Sequence, residues 1–165
     1  MSEFATTAGS GPLPVEVTPI GFVRGGRAEP IDDQWAEVVA DIVLDDRFSA
    51  EVLHGLDAFS HLEVVFIFDR VDEAKITVDA RHPRGNTDWP RVGIFAQRAK
   101  GRPNRIGVST CEIVSVNDRS ISVRGLDAID GTPVLDLKPY MTEFAPRTEV
   151  RQPAWSRELM RGYWA

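Results

Sequence analysis

Hydrophobic and polar residues alternate with a period of two through most of this chain, in short runs interrupted by Gly, Pro, Asp and Asn. Runs of that kind fit half-buried β-strands. The pattern predicts strands over residues 15–23, 35–44, 61–68, 75–80, 93–97, 108–116, 120–127 and 134–138, with Asn117-Asp118-Arg119 as a hairpin loop. So many short strands predict a mainly β fold with a few short helices, its single sheet closed or partly closed into a barrel. Closure removes exposed edges and leaves a mouth where loops gather. Two segments have helical spacing: residues 45–56, where Phe48, Val52, Leu53 and Leu56 recur, and 153–163, where Pro153 suits the first turn.

The second of these carries Trp155, Leu159, Met160, Tyr163 and Trp164, which predicts packing on the chain's own sheet or on another subunit. At 165 residues and 42% hydrophobic, the chain fits one domain with a real core. The expected division is an N-terminal arm of small polar residues over 1–14, a barrel over 15–145 and a helical tail over 146–165. The start has neither the basic residues nor the apolar stretch of a signal peptide, and the longest strongly apolar run, 64–68, is too short to cross a bilayer. A soluble protein is expected. With Cys111 as the only cysteine there is no internal disulfide framework, and a reducing cytoplasm is the simplest setting. Cys111 lies in a strand-like run and reads as a packed residue.

Charge changes the picture most. Residues 81–105 hold seven Lys/Arg against the single acid Asp88, in a chain whose net charge is −6. Like charge concentrated in one segment repels itself, so the segment is expected to face an anion such as phosphate or carboxylate. Overall acidity argues against a sequence-blind nucleic-acid binder but leaves room for one local basic face. Other chemistries lack their patterns. No G-x-G-x-x-G follows a strand and opens a helix, and no Walker loop is present. His54, His61 and His82 have no paired spacing, so no metal site is expected.

Two segments are hard to explain as ordinary sheet. In residues 93–109, a predicted strand delivers Arg98, a loop rich in Gly, Pro and Asn comes next, and a new strand starts at Gly107; this arrangement predicts a rigid basic rim. In residues 130–140, Asp130-Gly131 with Pro133 makes a turn. The alternation after it puts Val134, Asp136 and Lys138 on one face and Leu135 and Leu137 on the other. Asp136 and Lys138 are then either a solvated ion pair of little energetic weight or a pair pointing into a cleft near the rim.

The motifs GLDAFSHLEVVFIF, HPRGN, GIFAQR, RPNRIGVS and LDAIDGTPVLDLKPY follow one another in this order within residues 17–145. In that order they resemble the TrmO/YaeB family, also described as TsaA-like or VirR-like: S-adenosylmethionine-dependent tRNA methyltransferases built on one β-barrel. The resemblance implies a pocket for S-adenosylmethionine at or near the interface of a homodimer, without a Rossmann fingerprint. Carried over by motif, its contacts are Asp69, Arg70, Arg98, Val108, Gly125, Leu126 and Asp127. It further implies methylation of the exocyclic amino nitrogen of threonylcarbamoyl-adenosine beside the anticodon of threonine tRNAs.

On that reading, Arg81, Arg84, Arg102, Asn104 and Arg105 are candidates to hold the acceptor's carboxylate and the flanking phosphates. Asp136, Lys138 and Tyr140 are candidates to orient the acceptor or take its proton, with Asp136 as the base. A same-fold methyltransferase of a small metabolite and a non-catalytic S-adenosylmethionine or RNA binder are the rival readings. The chain departs from the family where a Pro-Arg-Gln-Pro-Gly-like element is usual, reading Arg27-Ala28-Glu29-Pro30-Ile31-Asp32-Asp33-Gln34-Trp35, and it has RPNR in place of RPNP.

Overall fold

The computed structural model describes residues 11–165; most of the arm expected over 1–14 lies outside them. Eight strands run in chain order: β1 (Gly21–Arg24), β2 (Val39–Leu44), β3 (His61–Ile67), β4 (Ala80–Arg81), β5 (Val92–Gly93), β6 (Ile106–Val116), β7 (Ser120–Arg124) and β8 (Pro133–Pro139). Six of them close into a barrel in the order β1-β2-β7-β6-β3-β8, with β8 pairing back on β1, and every pairing is antiparallel. The period-two pattern sets which side is inside. In β2, Ala40, Ile42 and Leu44 are buried while Val39, Asp41 and Val43 face outward. Leu62, Val64 and Phe66 of β3, Cys111 of β6, Ile121 and Val123 of β7 and Val134 of β8 complete the interior. Burial pushes the Cys111 thiol up to about 12, as suits a packed residue.

One inward position must lack a side chain. The Phe66 ring packs edge-on against Phe68, with centroids 5.2 Å apart, and lies across Gly107 on the neighbouring strand. A Cβ at Gly107 would stand 2.5 Å from two atoms of that ring.

Four predicted elements take a different form. Residues 11–19 belong to no strand, and β1 begins only at Gly21, because Pro12, Pro14 and Pro19 remove ladder donors and leave Val15 and Val17 exposed. Residues 75–80 form a 3-10 turn, Glu73–Lys75, capped by the Asp72 carboxylate, and then an irregular run. Residues 93–97 form the 3-10 turn Ile94–Ala96. These last two runs meet in the two-residue pair β4–β5 and the bond from the Ile94 amide to the Asp79 carbonyl at 2.9 Å, so alternation had no barrel strand to join. The helix expected over 45–56 is two 3-10 turns, Ala50–Leu53 and Leu56–Ala58, broken by Gly55 at φ 85°. The C-terminal helix α1 spans Ala154–Leu159, with Pro153 as its N-cap.

The alternation expected in β8 also fails, for a local reason. Val65 faces Asp136 but Phe66 faces Val134, so Leu135 is the extra residue of a bulge that resets the phase. Val134 and Leu137 therefore pack on the core, whereas Asp136 and Lys138 stand on the outer surface.

Candidate functional site

Antiparallel pairing gathers one set of strand ends at a single mouth: the ends of β1, β3 and β7 and the starts of β2, β6 and β8. The long connection from β3 to β6 carries the basic segment to that mouth. Among the described residues, the four non-glycine residues in the left-handed region are Gln34, Arg84, Asn104 and Arg105, at φ 65°, 50°, 61° and 52°. All four lie in loops that serve this end. Such conformations cost about 1–3 kcal/mol each and concentrate where a surface has a task.

Asp127 is the centre of the arrangement. It comes after Gly125, which holds φ 82° and whose amide donates to the Val38 carbonyl at 3.0 Å, and Leu126, which is fully buried in the core. One carboxylate oxygen accepts from the Ser109 hydroxyl and the other from the Tyr163 hydroxyl. Arg98 donates to the Val108 carbonyl at 2.8 Å and lends positive charge to Asp127. Burial raises the Asp127 pKa above the usual carboxylate value, while Tyr163 and Arg98 pull it down. Burial beside this carboxylate also raises the Tyr163 phenol.

A carboxyl whose folded pKa is raised favours the fold only while protonated. That contribution is complete below the unfolded pKa and is lost as pH rises through the folded one. Asp127→Asn keeps a neutral group of the same shape. The difference between its melting temperature and the wild type's is expected to move in the variant's favour as pH rises from acid to neutral. A margin that does not change with pH would show that the buried charge costs nothing.

Arg70 joins the same loop at its far end, donating to the Asp130 carbonyl at 3.0 Å, and Asp130 accepts from the Gly25 amide at 2.9 Å. Asp69, beside Arg70, is exposed. Arg70, Arg98, Val108, Gly125, Leu126 and Asp127 are thus brought to one end of the barrel.

The basic rim is built differently from a free row of guanidiniums. Arg102 donates to the Gln97 carbonyl at 2.7 Å and Arg105 to the Val71 carbonyl at 2.9 Å, so both staple loops together. Arg84 makes a two-pronged contact with Asp33, at 2.7 and 3.1 Å. Arg81 is half-buried, and its Nε has no hydrogen-bond partner. Asn104 sits between the two stapling arginines in its left-handed conformation. Arg91 and Lys100 are more open, standing 3.8 Å from Asp79 and 3.7 Å from Asp32.

Asp136, Lys138 and Tyr140 do not join this group. Asp136 and Lys138 form a solvated ion pair at 2.7 Å on the outer face, opposite Val65 and Glu63. The hydrogen bond that Lys138 donates to the Asp136 carboxylate raises the Lys138 pKa. Tyr140 lies farther along, its amide donating to the His61 carbonyl at 3.0 Å.

Several participants escape the sequence pattern. Ser109 and Tyr163 bind Asp127, and residues 27–35, held together by Arg27, whose guanidinium lies 4.4 Å from the Trp35 ring centroid and donates to the carbonyls of Asp33 and Gln34, reach the site through the Asp33–Arg84 ion pair and the Trp35 amide, which donates to the Tyr163 carbonyl. For Tyr163 the signal in the sequence is the aromatic load of the tail, and Ser109 closes the RPNRIGVS motif. Among the described residues, no group of three or more His, Cys, Asp or Glu could hold a metal ion, and no helix is long and apolar enough to cross a membrane.

Residues 26–145 match the family model of the tRNA-methyltransferase O N-terminal domain. A probable S-adenosyl-L-methionine-binding protein of Pyrococcus abyssi is 33% identical over 145 residues, which cover 85% of this chain and 76% of that protein. The tRNA (adenine(37)-N6)-methyltransferase of Escherichia coli is 43% identical over 98 residues, 56% of this chain but 40% of the enzyme. A crystal structure of TrmO from Pseudomonas aeruginosa superposes with a TM-score of 0.68 at 28% identity, covering 84% of this chain and 62% of that one.

Proposed function

Because this chain belongs to the family of the tRNA-methyltransferase O N-terminal domain, we propose that it uses S-adenosylmethionine to methylate the exocyclic amino nitrogen of threonylcarbamoyl-adenosine beside a tRNA anticodon. The observation that carries the reading is the convergence of Arg70, Arg98, Val108 and Asp127 on one mouth. The donor set fits the cofactor: guanidiniums for its α-carboxylate, and the Asp127 carboxylate for its ammonium or ribose hydroxyls. When bound, S-adenosylmethionine supplies a sulfonium methyl group for in-line displacement.

The chain's own contribution is positional. Backbone staples from Arg98, Arg102 and Arg105 keep the mouth rigid, so the acceptor can be held in line at little entropic cost during reaction. Arg81, Arg84, Arg102, Asn104 and Arg105 form the acceptor side of the mouth in this reading, with Arg84 exchanging Asp33 for substrate anion. Asp136, Lys138 and Tyr140 contribute to catalysis only if an acceptor also reaches the outer wall.

Single-stranded RNA is supported by a further side chain. Phe95 is 78% exposed at the tip of the Ile94–Ala96 turn, which buried Gln97 fixes through bonds to the carbonyls of Arg81 and Val92 at 3.1 and 3.0 Å. An exposed ring on a rigid turn within a basic segment suits base stacking, worth about 1–3 kcal/mol per base. Phe95→Leu is expected to weaken tRNA binding about fivefold in a filter-binding titration and to leave S-adenosylmethionine affinity unchanged. Equal tRNA binding by the two proteins would remove Phe95 from the interface.

The direct test is incubation with methyl-labelled S-adenosylmethionine and tRNA from cells lacking this activity. Label in threonine tRNA that depends on prior threonylcarbamoylation is the expected result, and tRNA left unlabelled overturns it. A same-fold methyltransferase of a small metabolite is the second reading, favoured by the net charge of −6, and would place the label in small molecules alone. The proposal includes a cytoplasmic homodimer; exposed Ile106 and Val108 on the outer face of β6 support an apolar contact with a second copy.

A further inference from the structure

The end of the chain is fastened to the mouth from three directions. The Trp35 amide donates to the Tyr163 carbonyl at 2.9 Å, and the Gln34 amide to the Gly162 carbonyl at 3.1 Å. The Trp89 indole N–H donates to Glu158 Oε2 at 2.8 Å. These partners come from the loop before β2 and from the basic segment, so the tail is located by the same elements that shape the site.

Two side chains use that location. The Tyr163 hydroxyl and the Ser109 hydroxyl each hold one oxygen of Asp127. Pinned at both oxygens, the carboxylate cannot rotate, yet it keeps lone pairs free, since an ionised carboxylate offers about four acceptor positions. Trp164 stacks edge-on against Tyr163 with centroids 5.0 Å apart. It lies beside Gly125, where an added Cβ would stand 3.9 Å from its ring. The indole is nevertheless 43% exposed. It therefore leaves much of an aromatic ring open beside the Gly125 turn that leads to the pinned carboxylate.

We propose that the C-terminal Tyr163-Trp164 pair completes the cofactor seat in the same chain, Tyr163 as a positioning residue that fixes the Asp127 carboxylate and Trp164 as the wall on which the purine stacks. The inference rests on Asp127 being part of that seat. It predicts a pH signature that a tail serving only to hold the fold together would not produce. The groups facing Asp127 are Ser109 and Cys111 on β6, Arg98 from the loop before β6, and Tyr163, behind which stand Arg84 and Asp33. Tyr163 lowers the Asp127 pKa against the effect of burial. Its removal must shift protonation of Asp127, and with it the acid-side loss of cofactor affinity, to higher pH.

The test is calorimetric titration of S-adenosylmethionine into the full chain across pH, for wild type, Tyr163→Phe, Trp164→Leu and Arg98→Ala, with melting curves for each. Tyr163→Phe is expected to weaken binding about fivefold at neutral pH, the effect of one lost charge-assisted bond, and to move the acid limb upward. Trp164→Leu is expected to weaken binding about fivefold, as lost stacking does, without moving the limb. Tail variants that bind as tightly as wild type, or more tightly because the tail competes with the ligand, overturn the inference when Arg98→Ala is weakened. A uniform loss across pH in Tyr163→Phe assigns the tail a purely structural role and overturns it as well. Wild type that does not bind the cofactor at all overturns the underlying function instead.

Discussion

Phe66→Ala is expected to cost about 3–5 kcal/mol in urea unfolding, because it empties a fully buried site that the barrel wall cannot collapse to fill. Gly107→Ala should cost about 1–3 kcal/mol for the opposite reason: its methyl group collides with the Phe66 ring. The two effects share one volume. In the double variant the space left by the ring accepts the new methyl, so the pair should be no less stable than Phe66→Ala alone. The coupling should then equal at least the whole cost of Gly107→Ala, about 1–3 kcal/mol, within the range expected of residues in direct contact. Additive losses would mean that Gly107 is required for its backbone and not for the room it leaves.

The second large effect is on binding. Arg98→Ala is expected to weaken S-adenosylmethionine affinity at least tenfold, about 1.4 kcal/mol by calorimetry. Two losses combine. The guanidinium that reaches Val108 at the mouth disappears, and with it the charge that helps keep Asp127 ionised. Arg98→Lys retains a cation but not the planar fork, so it should recover part of the affinity and little of the geometry. Unchanged affinity in Arg98→Ala would remove this residue from the pocket.

The barrel is largely legible because its strands β2, β3, β6 and β7 each bury one face, and a buried face writes itself into the sequence as strict alternation. Residues 75–80 and 93–97 carry a similar pattern without a barrel strand to join, since they form one wall of a loop system. Alternation also misplaces Asp136: the single extra residue at Leu135 gives the two halves of β8 opposite phases, and nothing in the composition of the strand marks the step. Arg98, Val108 and Asp127 are legible through motifs. Their organisation is hidden because it depends on contacts between distant residues, as when Tyr163 binds Asp127 across 36 positions. The excess of arginine is visible, but a sequence does not show that Arg98, Arg102 and Arg105 are each anchored on a main-chain carbonyl.

The interior position of Cys111 has a practical consequence. Its thiolate is disfavoured and its sulfur shielded, so a maleimide dye at neutral pH passes it by. A cysteine introduced at an open site such as Phe144 becomes the single reactive handle on the chain. Fluorophores can then be attached one per molecule with the native thiol left in place.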